Sequence, residues 1–191
     1  MRKITTRTEE QKKARRNQLT IGLILVAVML FSVLGYSFGS NPETSETKVD
    51  YNGFEFIQQS GLWYLNMGDV QFSFLHTPKE TFNINSTINL LNSYLNKPLY
   101  IYSENAESES EIARNLFYNV RIAQRIQRAC PEGMNCTNDF PTKTCSDNFI
   151  IIKDSNDTQI RQEENCVFIE GNNAILTRLT DGFLFKVLGI Q

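Results

Sequence analysis

Residues Pro98–Cys130 read PLYIYSENAESESEIARNLFYNVRIAQRIQRAC, and how this stretch is divided decides the fold class. With the preceding Lys97 its opening reads KPLYIYS, a compact β-prone run, which predicts a strand starting after Pro98. The polar run that follows breaks the strand. Beyond it Ile112, Leu116, Val120, Ala123 and Ile126 recur at steps of four and three, which predicts one long amphipathic helix from Ser108 to Cys130. Ser108 and Glu111 match the S-x-x-E helix-start signal. A strand followed by a helix and then by further strands points to parallel βαβ pairing.

The flanking sequence extends this reading. Downstream, NFIIIK at Asn148–Lys153 and CVFIEG at Cys166–Gly171 are near-continuous apolar strands, with a return strand at Thr158–Glu163 between them. The segment NNAILTRLTDGFLFKVLG predicts a closing helix that ends at Gly189. It is apolar on every side, with Ile175, Leu179 and Phe183 on one face and Leu184, Phe185 and Leu188 away from it. Such a helix belongs inside the domain or against a partner, and the inside position is favoured. Upstream, YNGFEFIQQSGLWYLNMGDVQFSFLHT alternates in three short runs broken at Ser60-Gly61 and Met67-Gly68-Asp69, which predicts an antiparallel three-strand meander. STINLLNSYLN predicts a short helix capped by Asn85 or Ser86. The expected fold is an α/β sandwich whose mixed sheet joins the meander to the parallel βαβ portion.

Ahead of this domain, Leu19–Phe38 reads LTIGLILVAVMLFSVLGYSF without a charged residue, and about 20 apolar residues is what a helix needs to span a bilayer. Residues 1–18 hold seven basic residues against Glu9 and Glu10, a net of 7 − 2 = +5. The positive-inside rule therefore places them in the cytoplasm and the remainder outside a single-pass cell-membrane anchor. A cleaved signal peptide, with Ser37 and Gly39 as small residues at the cut, is the alternative; it exports the same domain. Residues 39–50, including SNPETSETKVD, read as a flexible tether, and 51–191 as one extracytoplasmic domain. Residues 19–191 carry 19 − 7 = 12 basic and 21 − 2 = 19 acidic residues, a net of −7, which argues against a nucleic-acid partner.

Cys130, Cys136, Cys145 and Cys166 are the chain's four cysteines, spaced by five, eight and twenty residues. An even count in an exported domain points to disulfides. The spacing lacks the close pairs of a structural zinc site and the two-residue gap of a thioredoxin-like centre. Three connectivities are open. The favoured one is Cys130–Cys136 with Cys145–Cys166, because the first closes a small loop just past the expected helix end.

The succession YNGFEF, GLWYL, PLYIYS with its helix, the four-cysteine spacing, and NCVFIEG followed by LTRLTDGFLFKVLGI resembles a family of uncharacterised, single-pass membrane-anchored archaeal proteins with a four-cysteine outer domain. The resemblance covers most of residues 51–191 and implies the topology and paired cysteines; it implies no activity.

No catalytic signature, cofactor motif or ordered metal-ligand pattern is legible. His76, the lone histidine, is the ready general base near neutral pH, against a plain role as a strand-end residue. Glu104, Glu107, Glu109 and Glu111 follow a strand end where α/β sheets bind ligands, and could hold a hard cation or simply favour a helix start. The sequons at Asn85, Asn135 and Asn156 could accept glycans. On the expected long helix, Arg114, Tyr118, Arg121, Arg125 and Arg128 would form one stripe. Such a stripe is either a solvated face or a docking strip for an acidic protein, a lipid headgroup or a surface polymer. The leading function is a membrane-anchored interaction or structural domain; the alternative is an exported hydrolase-like enzyme using His76 or the Glu104–Glu111 acids.

Overall fold

The structure, a computed structural model, describes residues 7–39, 47–136 and 139–191; within the first segment the described side chains are those of Lys12 and residues 15–32. The chain divides into two compact units, Met1–Ser45 and Glu46–Gln191. The first contains helix α1 (Arg7–Gly39). No helix among the described residues is long and apolar enough to cross a membrane. The end of the expected span, residues 33–38, lies outside the described side chains.

The second unit is α/β with one antiparallel and one mixed sheet. Strands β1 (Lys48–Tyr51), β2 (Phe54–Gln59), β3 (Leu62–Met67) and β4 (Val70–Phe74) form an antiparallel sheet in chain order. Two-residue turns connect the first three. Asn52-Gly53 and Ser60-Gly61 all have positive φ, between 49° and 83°, as hairpins matched to the right-handed twist of strands require. The meander has four strands rather than three, because Lys48–Asp50, expected in the tether, belong to β1. Val49 stands opposite Phe56 and Tyr51 opposite Phe54, so β1 covers apolar residues that the tether reading left open. The Asn52-Gly53 signal that closes this hairpin was present in the sequence.

The mixed sheet contains β5 (Pro98–Ser103), β6 (Arg125–Arg128), β9 (Phe149–Asp154), β10 (Gln159–Glu163) and β11 (Cys166–Gly171), in the order β10-β11-β9-β5-β6. All neighbours are parallel except β10 and β11. The meander is thus a separate sheet, not an extension of this one. A minor parallel pair, β7 (Cys130–Pro131) with β8 (Thr142–Lys143), ties the cysteine loop.

The expected long helix is overturned. Helix α2 (Ala106–Ala113) continues only through a π-helical turn at Arg114–Tyr118. The chain then turns through Arg121, at φ 48°, and Arg125–Arg128 become strand β6. Length explains the break. The 8 + 5 = 13 helical residues rise about 20 Å, matching the span of a six-residue strand. A helix running to Cys130 would overshoot the sheet by more than 10 Å. The start also differs: Asn105, not Ser108, is the cap, its side chain accepting from Ser108 N at 2.8 Å. The helix expected after Ser86 is reduced to a 3-10 turn at Leu91–Ser93. That segment bonds to β10 instead, Ser86 Oγ donating to Ile160 O and Asn89 N to Gln162 Oε1.

Helix α3 (Leu176–Val187) is the closing helix, and the inside position holds. All its residues except Arg178 and Lys186 are buried. One continuous apolar core joins Phe56, Leu65, Phe72 and Phe74 of the meander, Ile112 and Leu116 near α2, Phe183 and Phe185 of α3, and Leu99, Ile101, Ile150, Ile152, Val167 and Ile169 of the mixed sheet. The helices thus share a core with both sheets. A second, smaller cluster of Tyr100, Ala129, Phe149, Ile151 and Cys166 occupies the other face of the mixed sheet, because successive strand residues point to opposite sides. The cysteine loop covers that face.

Candidate functional site

The loop residues are drawn together first by backbone bonds, Cys130 N to Pro141 O and Glu132 N to Lys143 O. Covalent bonds then fix them: Cys130 is joined to Cys136 and Cys145 to Cys166, with Cα separations of 6.0 and 4.8 Å. This is the pairing favoured from sequence, although the helix end invoked for it is strand β6. All four thiols are consumed, which points to an extracellular or otherwise oxidising compartment.

His76 follows β4 and meets α3. Its backbone N–H and ring Nδ1 both contact Asp181 Oδ2, at 2.9 and 2.8 Å. Asp181 is wholly buried, and its Oδ1 has no partner among the described residues. The carboxylate therefore latches a strand end to a core helix. The neighbouring hydroxyl, Thr77 Oγ1, is already spent on Glu80 Oε2 at 2.8 Å. The Thr77 N–H beside Glu80 holds that carboxyl below its usual range. His76 lines none of the four cavities described below, and its described contacts are those of the latch.

Burial pushes the Asp181 carboxyl up; the contacts from His76 and the more distant Arg114 oppose this without cancelling it. A folded value above the unfolded value of about 3.9 means that this group's stabilisation is complete below the unfolded value and is lost as pH rises through the folded one. The stability advantage of the native chain over Asp181→Asn is accordingly expected to shrink as pH rises above the unfolded value, by urea unfolding at each pH. A gap that widens with pH would show that pairing with His76 and Arg114 outweighs burial.

The four glutamates do not converge. Glu104 accepts from Tyr102 OH and Asp154 N, and Glu107 from Thr177 Oγ1. Glu109 binds Arg128 through two bonds of 2.6 and 2.7 Å, and Glu111 pairs with Arg114. Each acid is bonded within the fold, although Glu111 Oε2 is buried without a partner among the described residues, and no group of three or more His, Cys, Asp or Glu residues among the described ones could hold a metal ion.

The arginine stripe does not exist as a helix face, yet three of its five members reach one place. A cavity of about 480 Å³ is lined by Arg114, Tyr118 and Arg128. It shares Ala106, Glu109 and Arg128 with a second, of about 340 Å³, that runs past Tyr102, Ser103 and Glu104 to Cys136 and Phe140. Together they form a groove at the end of β5 and beside β6. Arg121 lies in the turn, and Arg125 reaches the other sheet face, where Nη2 donates to Tyr100 OH at 3.0 Å. Lys143 and then Arg125 hold the Tyr100 phenol below its usual range. A third cavity, about 260 Å³, lies under Asn85 and Ile160, and a fourth, about 340 Å³, beneath the cysteine loop.

Sequence reasoning passed over Asp181, which lies within the expected closing helix. A lone carboxylate inside a helix apolar on all sides was the available signal. It also passed over Asn115, whose side-chain amide donates to Ser73 O at 2.7 Å and accepts from Ser73 N at 2.9 Å, closing the edge of β4 as a neighbouring strand would. No family model, no curated protein and no solved structure matches the chain.

Proposed function

We propose that the chain is an extracytoplasmic interaction domain, held at a membrane by Leu19–Phe38 with residues 1–18 in the cytoplasm, that takes an extended acidic segment of a partner protein along β6. The anchor rests on the uncharged span, its basic flank and the exposure of its described apolar residues: Leu23, Met29 and Phe31 are each more than 70% exposed. Surfaces of that kind seek a membrane or a partner. The two disulfides support the outer location.

The carrying observation is the open edge of β6. Of the outer edges of the two sheets, β4 is closed by Asn115 and β10 is engaged by Ser86. Strand β1 is open but carries mixed charge, Lys48 and Asp50. Strand β6 is hydrogen-bonded on one side only, to β5, and its sequence RIQR carries two arginines and no acid. An open strand edge accepts a further strand through main-chain bonds, and Arg125, whose guanidinium hydrogen-bonds only the Tyr100 hydroxyl among the described residues while Arg128 is paired with Glu109, would select a carboxylate.

Ala129 N donates inward to Ile101 O, and Ile101 stands opposite Arg128, so alternation turns the amides of Arg125 and Gln127 inward and those of Ile126 and Arg128 outward. Ile126→Pro removes one outward donor and leaves the inner ladder intact. With a membrane-impermeant crosslinker on intact cells, this variant is expected to lose recovery of its protein partner about tenfold relative to Ile126→Thr at a matching melting temperature. A folded Ile126→Pro chain that recovers the same partner would refute strand addition. Failure of the reagent to reach residues 51–191 would refute the outer location.

A further inference from the structure

We propose that the hollow between the cysteine loop and the mixed sheet is a binding site for a small amphiphilic carboxylate, a short apolar body bearing one acid group. The floor follows from strand alternation. Phe149, Ile151 and Lys153 share one face of β9, and their partners Cys166, Phe168 and Glu170 share the same face of β11. The opposite face carries Ile150, Ile152, Val167 and Ile169 and is used up by the main core. No helix of the fold is needed on this second side; the loop is its cover.

The cover is rigid and does not seal. Cys130–Cys136 clips the segment that carries Met134, Cys145–Cys166 pins the loop to the sheet, and β7 with β8 holds Pro131 against Lys143. Between loop and floor remains a space of about 340 Å³ bounded by Met134, Phe149, Ile151, Phe168 and the Cys145–Cys166 bridge. That volume lies at the lower end of the range for small-molecule pockets, and a mostly apolar lining with a few polar groups is their usual character.

The charges at the rim choose the ligand. Arg161 lies 3.8 Å over the Phe168 ring and pairs with Glu163 and Glu170. Lys143 pairs with Asp147 at 3.3 Å and sits over the Tyr100 ring. Glu170, which faces Lys153 across the strands, already accepts from Gln159 Nε2 at 2.7 Å. Glu132 is the remaining acid of the lining, against three cations. Lys153 alone of those cations has no hydrogen bond or ion pair with the described residues. A carboxylate would satisfy it, an amine would be repelled, and a neutral head would leave it unpaired.

The test uses the full chain in phospholipid nanodiscs with labelled isoleucine and methionine methyl groups, titrated with 3-phenylpropanoate, its neutral amide and the corresponding amine. The acid is expected to move the Ile151 and Met134 signals saturably and to bind at least about tenfold more tightly than the amide, the amine not at all. Lys153→Gln should bring the acid down to the level of the amide while leaving the amide unchanged, and Lys153→Arg should restore it. Equal binding of acid and amide, shifts that never saturate or that bypass Ile151 and Met134, or an acid affinity indifferent to Lys153→Gln would each overturn the proposal. Because Lys153 lies on β9 and the partner strand is proposed at β6, Ile126→Pro is expected to leave this titration unaltered.

Discussion

Phe185→Ala is expected to destabilise the disulfide-bonded domain by about 3–5 kcal/mol, the usual cost of emptying a fully buried aromatic site. Phe185 has no exposed surface. Its ring lies 4.5 Å from Phe74 and 5.7 Å from Phe56, centroid to centroid, the second contact edge-on at 87°. It therefore packs on two strands of the meander, while its own helix also contributes Leu176 and Leu179 to the core shared with the mixed sheet. Alanine would remove the apolar body and the aromatic pairing together, and two hydrogen-bonded sheets cannot move inward to fill the space. Phe185→Leu keeps most of the volume and should cost clearly less. The measurement is urea unfolding under oxidising conditions, followed by both tryptophan emission and far-UV circular dichroism. Trp63 is the only tryptophan in the chain and is buried in the meander, so it reports on the sheet that loses its contact. A loss under about 1 kcal/mol would mean that α3 is not the wedge between the sheets.

Removing the Cys145–Cys166 bridge, as the double alanine variant, is expected to cost about 3 kcal/mol, and removing Cys130–Cys136 about 2 kcal/mol. The order follows from the closed loops, since the sequence separations are 21 and 6, and a longer loop loses more freedom in the unfolded chain. The Cys145–Cys166 bridge also holds the cover of the second sheet face to β11, so its removal should abolish the acid-selective titration; loss of Cys130–Cys136 should weaken it. Non-reducing peptide mapping confirms which bridge is gone, and urea midpoints at equal slope give the cost. If the shorter bridge proves the more costly, native-state contacts of the loop rather than chain entropy set its stability.

Elements whose period was long enough, or whose turn chemistry was unambiguous, were legible in the sequence. The apolar strands at Phe149–Asp154 and Cys166–Gly171 and the buried closing helix lie where their patterns placed them. The α/β class and the disulfide pairing were also within reach. The long helix was not, because Ile126 suits both the helical stripe and a strand, and only the length of the neighbouring strand decides between them. The His76–Asp181 latch and the Asn115 clamp join residues 105 and 42 positions apart. No local pattern encodes such pairs. The hollow under the cysteine loop belongs to the same class: its floor was visible as two apolar strands, but its emptiness depends on the path of a loop without periodicity.

Helix α3 follows every described strand in chain order, yet it supplies apolar cover to both sheets. Synthesis therefore delivers the two sheets before it delivers what shields them. Domains otherwise tend to fold as units from their amino-terminal side while the chain is still emerging. Here an emerging meander would present Phe56, Phe72 and Phe74 bare to the ribosome exit, and a partly emerged mixed sheet would do the same with its isoleucines. The exposure is greatest in the interval between the arrival of β11 and that of α3, when a chaperone would find the most to bind.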